Sequence, residues 1–166
     1  MRLPTLFLSG VVSILLASAP AFADTGFVAY ITGLQEVPPT STPGYGTGTF
    51  LLNTAQTQIS YSITFSDLIT PMTAAHIHNA PEGSNGSVKL NLAGAGATSG
   101  TLAGLWTTTQ PTQPLTSTLL TELFAGKLYI NIHTSTFPGG EIRGQIFVDA
   151  TPNRSTTWGR IKGLYR

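Results

Sequence analysis

The chain has 166 residues, a formal net charge of +1, 9% charged residues and no cysteine. This length points to one domain with room for a real core, and the lack of cysteine rules out disulfides, thiolate catalysis, cysteine-built zinc sites and iron–sulfur clusters. Between Asp24 and Ala150, three basic residues (Lys89, Lys127, Arg143) stand against seven acidic ones, so this body lacks the basic surface that nucleic-acid binding needs.

Residues 1–23 read as a secretory signal peptide: Arg2, an apolar run from Leu6 to Leu16, then the small-x-small ending Ala21-Phe22-Ala23 before Asp24. The run is too short to span a bilayer, and no other stretch is longer or more apolar. The body, residues 24–149, is therefore expected outside the cytoplasm: secreted, periplasmic or at the cell surface. The alternative for residues 1–23 is a buried helix or an uncleaved anchor.

Phe27 to Gly33, aromatic and β-branched, predicts the first strand. Glu36 to Gly46 carries three prolines and two glycines and predicts a loop, after which Thr47 to Asn53 resumes as a strand. In Gln58 to Phe65, Ile59, Tyr61, Ile63 and Phe65 alternate with polar residues, the pattern of a strand with one buried face. Asn53 to Gln56 between them is short enough for a hairpin.

Asp67 to Pro71 turns the chain into a strand over Ala74-Ala75-His76-Ile77-His78-Asn79. A tight reversal with positive φ is expected at Asn85-Gly86, feeding a strand over Val88 to Leu92. The glycine-rich run Ala93 to Gly100 is a loop; no helix with Lys-Ser/Thr follows it, so it is no phosphate cradle.

Thr101 to Thr109 predicts another strand. One helix is expected over about Thr116 to Ala125, where Leu115, Leu119, Leu120 and Leu123 recur at helical spacing, Thr116 or Ser117 can cap, and Gly126 stops the run. Lys127 to His133 and Glu141 to Val148 are the last predicted strands. Seven or eight short strands and one helix describe an antiparallel β-sandwich.

Residues 150–166 form a linker and a basic tail, with Trp158, Ile161 and Tyr165 on one helical face and Arg160 opposite. Such a tail can dock to a partner, rest on an anionic surface or act as an address for export. An inert terminus is the plain alternative.

Every histidine falls in the two stretches Ala74–Ala80 and Leu128–His133. In a strand, His76 and His78 share a face that Ile77 does not, and His133 lies opposite Leu128, Ile130 and Ile132. If the strands are neighbours, one polar patch collects all three, with Asn131, Glu141 and Arg143 as supporting companions.

The stretches AHIHNAPEGSNGSV and LYINIHTSTFPGGEIRGQI resemble the two signature blocks of the CHRD domain family, the module repeated in chordin and found singly in secreted microbial proteins. The similarity covers about Phe27 to Val148. It implies an extracellular immunoglobulin-like β-sandwich, comparable to copper–zinc superoxide dismutase with its His-x-His strand, and a binding or structural role without a settled enzymatic activity. With a single copy and no cysteine-rich modules, this chain does not inherit chordin's growth-factor antagonism.

Two readings of the patch stand side by side. In one, His76, His78 and His133 hold copper or zinc, with redox or hydrolytic chemistry in reach; imidazoles at i and i+2 plus a third from a neighbouring strand suit either ion. Three histidines are too few for the dismutase's two-metal set. In the other, the imidazoles hydrogen-bond to loop backbone and to a Glu141/Arg143 pair, and the domain binds an extracellular protein or cell-surface partner. Other chemistry is weaker: there is no G-x-S-x-G elbow, nothing brings two of Asp67, Glu82 and Glu141 together for glycosidase work, and the sequons at Asn85 and Asn153 matter only in a eukaryotic secretory pathway.

Overall fold

Alternating burial builds the chain strand by strand in the computed structural model, which describes residues 24–94 and 96–150. Strands β1 (Thr25–Thr32), β2 (Tyr45–Leu52), β3 (Gln58–Ser66), β4 (Met72–Asn79), β5 (Ser87–Leu92) and β6 (Gly100–Thr107) precede helix α1 (Ser117–Phe124), and β7 (Leu128–Thr134), β8 (Ile142–Gln145) and β9 (Phe147–Val148) follow it. In β2, Gly46, Gly48, Phe50 and Leu52 point inward while Tyr45, Thr47, Thr49 and Leu51 face water, the period-2 pattern of a half-buried strand.

All pairings are antiparallel, in the order β5-β4-β7-β8-β1-β2-β3-β6, with β9 on β1. The sheet divides naturally into two halves, β5-β4-β7-β8 and β1-β2-β3-β6 with β9, because β1 and β8 share only the pair Thr32↔Arg143. The halves close over one apolar core containing Phe27, Ile31, Phe50, Ile63, Trp106, Ile77, Leu128 and Ile130. A Cβ on Gly48 would come within 2.8 Å of Ile130 Cδ1, so β2 and β7 face each other closely across that core. The result is an all-β, nearly closed sandwich with a single α-helix among the described residues, in line with the sequence.

Local chemistry sets the element ends. Asn53 Oδ1 accepts from Thr57 N at 2.9 Å and Gln58 N at 3.1 Å, which closes the β2–β3 turn. Thr116 Oγ1 accepts from Leu119 N at 3.2 Å and caps α1, and Gly126 ends it at φ +68. Leu119, Leu120 and Leu123 bury one helical face, and Phe124 meets Phe27 edge-on at 5.3 Å.

Two expectations are corrected. The stretch Glu141 to Val148 is two strands rather than one: at Ile146 the chain stops pairing with β7 and β1 as β8 and continues on β1 as β9, while Ile146 N still donates to Leu128 O. The positive φ in the β4–β5 connection belongs to Gly83, not to Asn85-Gly86. Gly86 is needed for a different reason: a Cβ there would sit 2.0 Å from Asn79 O.

Strands β7 and β8 are buried on both faces. Their inner face is aliphatic and their outer face is polar. Three loops cover that outer face, 33–44, 80–86 and 135–141, and each is tied down by side chains rising from the sheet. Residues 1–23 and the tail residues Trp158, Ile161 and Tyr165 lie outside the described residues.

Candidate functional site

Register decides which side chains meet on the polar face. Across β4 and β7, His76 stands opposite Asn131, His78 opposite Tyr129 and Ala74 opposite His133. Across β7 and β8, Asn131 stands opposite Arg143 and Tyr129 opposite Gln145. Histidines, amide, phenol and guanidinium therefore form one contiguous layer.

The three imidazoles come together. Ring centroids lie 4.8 Å apart for His76 and His133, 5.5 Å for His76 and His78, and 6.1 Å for His78 and His133. One ring nitrogen from each lies within 4.8 Å of the others. This is the only such grouping of histidine and carboxylate residues among the described residues.

Loop carbonyls fix two of the tautomers. His78 Nδ1 donates to Gly86 O at 2.9 Å and His133 Nδ1 donates to Pro138 O at 3.0 Å, because a carbonyl oxygen can only accept. In the neutral rings this leaves both Nε2 atoms as lone pairs. His133 Nε2 lies 3.1 Å from His76 Nδ1, so His76 supplies the proton of that contact. His78 Nε2 is buried and has no hydrogen-bond partner at all.

Burial depresses all three pKa values. For His76 desolvation dominates and the charges of His133 and His78 add to it. For His78 desolvation again leads, opposed by the Gly86 bond and reinforced by His133 and Arg143. For His133 desolvation outweighs the Pro138 bond. The rings are held neutral, the form in which imidazole ligates a metal.

The companions separate into two groups. Asn131 Nδ2 donates to Glu36 Oε2 and to Gly139 O, each at 3.4 Å, beside the histidines. Arg143 lies over the Tyr129 ring, its Cζ 3.6 Å from the centroid. Glu141, fully buried, turns away from both: Oε1 accepts from Thr42 Oγ1 at 2.6 Å and Ile69 N at 2.8 Å, and Oε2 accepts from Thr134 Oγ1 at 2.7 Å. No Glu141/Arg143 pair forms; the ion pair among the described residues is Lys127–Glu122.

Tyr129 and Glu36 are among the members of the layer missed in the sequence. Tyr129 stacks on His78 with centroids 4.9 Å apart and planes 12° from parallel. The alternation that singled out Asn131 and His133 points to Tyr129 equally, and only its aromatic character hid it among core residues. Glu36 comes from the proline-rich loop; burial raises its pKa from 4.5 to about 7 against the opposing charge of Arg143. Nothing local marked it, since its partners lie about 100 residues away.

The two histidine stretches sit within a match to the CHRD domain over residues 27–146. That span takes in all of the sheet from β1 to β8 apart from the first two residues of β1. Comparison with curated proteins found no match, and neither did comparison with solved structures. The sandwich, its two histidine strands and this match together place the chain in the CHRD domain family.

Proposed function

We propose that this CHRD domain works outside the cytoplasm as a binding module, and that its working site is the trihistidine face, which takes a copper or zinc ion. The observation that carries this reading is the orphaned Nε2 of His78, buried beside two further imidazoles. A buried polar atom without a partner costs about 1–3 kcal/mol, and a cation offsets that cost. In the His76–His133 contact a cation would take the place of the proton that His76 Nδ1 now shares with the His133 Nε2 lone pair.

The donor set fits. His78 and His133 are oriented through Nδ1 by backbone carbonyls, the usual outer support of a metal-bound imidazole. Metal–nitrogen bonds of about 2.0–2.1 Å require the rings to close in somewhat from their present spread. Bound there, copper supplies one-electron chemistry and zinc a Lewis acid; the protein supplies three neutral nitrogens and a partly open outer side.

A second reading rests on the same carbonyl bonds. They pin the 80–86 and 135–141 loops to the sheet, and a module that binds a protein or cell-surface partner through those loops needs the histidines only as anchors. Metal analysis of residues 24–150 after incubation with Cu(II) or Zn(II), with His78→Ala as control, separates the two. One ion per chain, lost in the variant, supports the metal site. No bound ion in a folded wild-type domain leaves the histidines as anchors.

A further inference from the structure

Arg143 is 1% exposed, yet no carboxylate pairs with it among the described residues. Its guanidinium donates only to neutral acceptors: Asn85 Oδ1 at 3.4 Å, Pro81 O at 3.3 Å and Gln145 Oε1 at 3.2 Å. Its remaining contact is the face of Tyr129, whose other neighbour in the stack is His78. A buried cation is costly unless paired. Here a π-face and three dipoles hold it one aromatic ring away from a histidine of the proposed metal site.

The arrangement has an electrostatic consequence. The trihistidine set carries no negative charge, so the full charge of a bound ion is felt by Arg143. A divalent ion is repelled twice as strongly as a monovalent one at the same place. We infer that Arg143, acting through Tyr129 as a positioning residue rather than as a ligand, makes the trihistidine site prefer monovalent copper over divalent ions. This rests on the metal reading given above and adds the charge selectivity of that site.

One further observation supports it: neither Glu36 nor Glu82 lies within ion-pair distance of Arg143, so no direct salt bridge cancels its charge.

The test is competition with chromophoric chelators, under anaerobic reducing conditions for Cu(I) and separately for Zn(II), on the wild-type domain, Arg143→Gln and Arg143→Lys. Glutamine keeps an N–H donor for the loop carbonyls but removes the charge; lysine keeps the charge. Arg143→Gln is expected to narrow the Cu(I)-over-Zn(II) preference by roughly tenfold, the scale of one charge about 10 Å away in a partly solvated site, while Arg143→Lys retains it.

An unchanged ratio in folded Arg143→Gln, or an equal loss in folded Arg143→Lys, overturns the inference and leaves the metal site standing. The wild-type domain gives a measurement that does not depend on the variants folding: Cu(I) should displace Zn(II) at equal free concentrations, and the reverse order overturns the inference. Binding of neither ion removes the metal site itself, and this inference with it.

Discussion

Tyr129 and His78 share more than a stacking contact: both are joined to the backbone of one residue, Gly86. Gly86 N donates to Tyr129 Oη at 3.0 Å, and Gly86 O accepts from His78 Nδ1 at 2.9 Å. The loop residue thus locks a ring from β7 and a ring from β4 in one closed circuit, and the imidazole can neither flip nor exchange tautomers without breaking it. Sheet register brings the two rings together, and the loop then sets their orientation.

This circuit requires a glycine. An alanine at position 86 places its Cβ 2.0 Å from Asn79 O, an overlap that only backbone movement can relieve. Gly86→Ala should lose more than about 2 kcal/mol of stability and displace His78, with metal uptake falling in parallel. Tyr129→Phe keeps the stack and removes one bond to Gly86 N, a cost of about 1 kcal/mol. Urea denaturation of the two variants checks the order; equal stabilities would count against the circuit.

Glu141 predicts a larger effect for a different reason. Its carboxylate receives Thr42 Oγ1, Ile69 N and Thr134 Oγ1 with no solvent contact. Glu141→Ala strands these donors and unties the 33–44 loop from β7, so it should cost about 3 kcal/mol or more. The three histidines are untouched, so a variant that still folds should keep whatever metal stoichiometry the wild type shows. A change below about 0.5 kcal/mol in chemical denaturation would show that the buried carboxylate is dispensable.

The contrast between Glu141 and the histidines shows what the sequence could and could not reveal. Strand alternation located β3, the histidine strands and the faces of His76, His78 and His133, because side-chain direction in a strand follows from covalent geometry alone. The capped helix was legible from Thr116 and Gly126 for the same local reason. Loop-borne contacts were not: Glu36 reaches Asn131, and Thr42 reaches Glu141, across about 100 residues. Alternation also put Glu141 and Arg143 on one face and so suggested a pair. Glu141 precedes the first residue of β8, and the backbone after Gly140, at φ +134, directs its carboxylate toward Thr42 and Ile69 instead.

The three histidines should titrate low. Burial leads the causes for each, so each folded-state pKa lies below the ordinary 6.5. The unfolded chain then takes up protons more readily than the folded one, and stability contributed by these groups falls as pH drops through and below that ordinary value. Zinc uptake needs neutral rings and should persist into mildly acidic solution before failing. Proton NMR titration of the imidazole C–H resonances checks the direction, with an unfolded-chain peptide as reference; values at or above the peptide's contradict it.

Glu36 moves stability the opposite way at higher pH. Its carboxyl is raised from 4.5 to about 7 because burial penalises the charged form more than Arg143 favours it. Between those values the folded protein keeps a proton that the unfolded chain has released, so the contribution of Glu36 to stability declines as pH rises through this window and stays reduced above it. Glu36 sits in a buried polar pair: Asn131 Nδ2 donates to its Oε2 at 3.4 Å, and Glu36 Oε1 and Asn131 Oδ1 are both buried. Glu36→Gln carries no titrating group and keeps the size of the side chain. Its stability relative to wild type should therefore rise between pH 5 and pH 8, read from urea midpoints at matched ionic strength, and a flat difference over that range would remove the buried acid from this account.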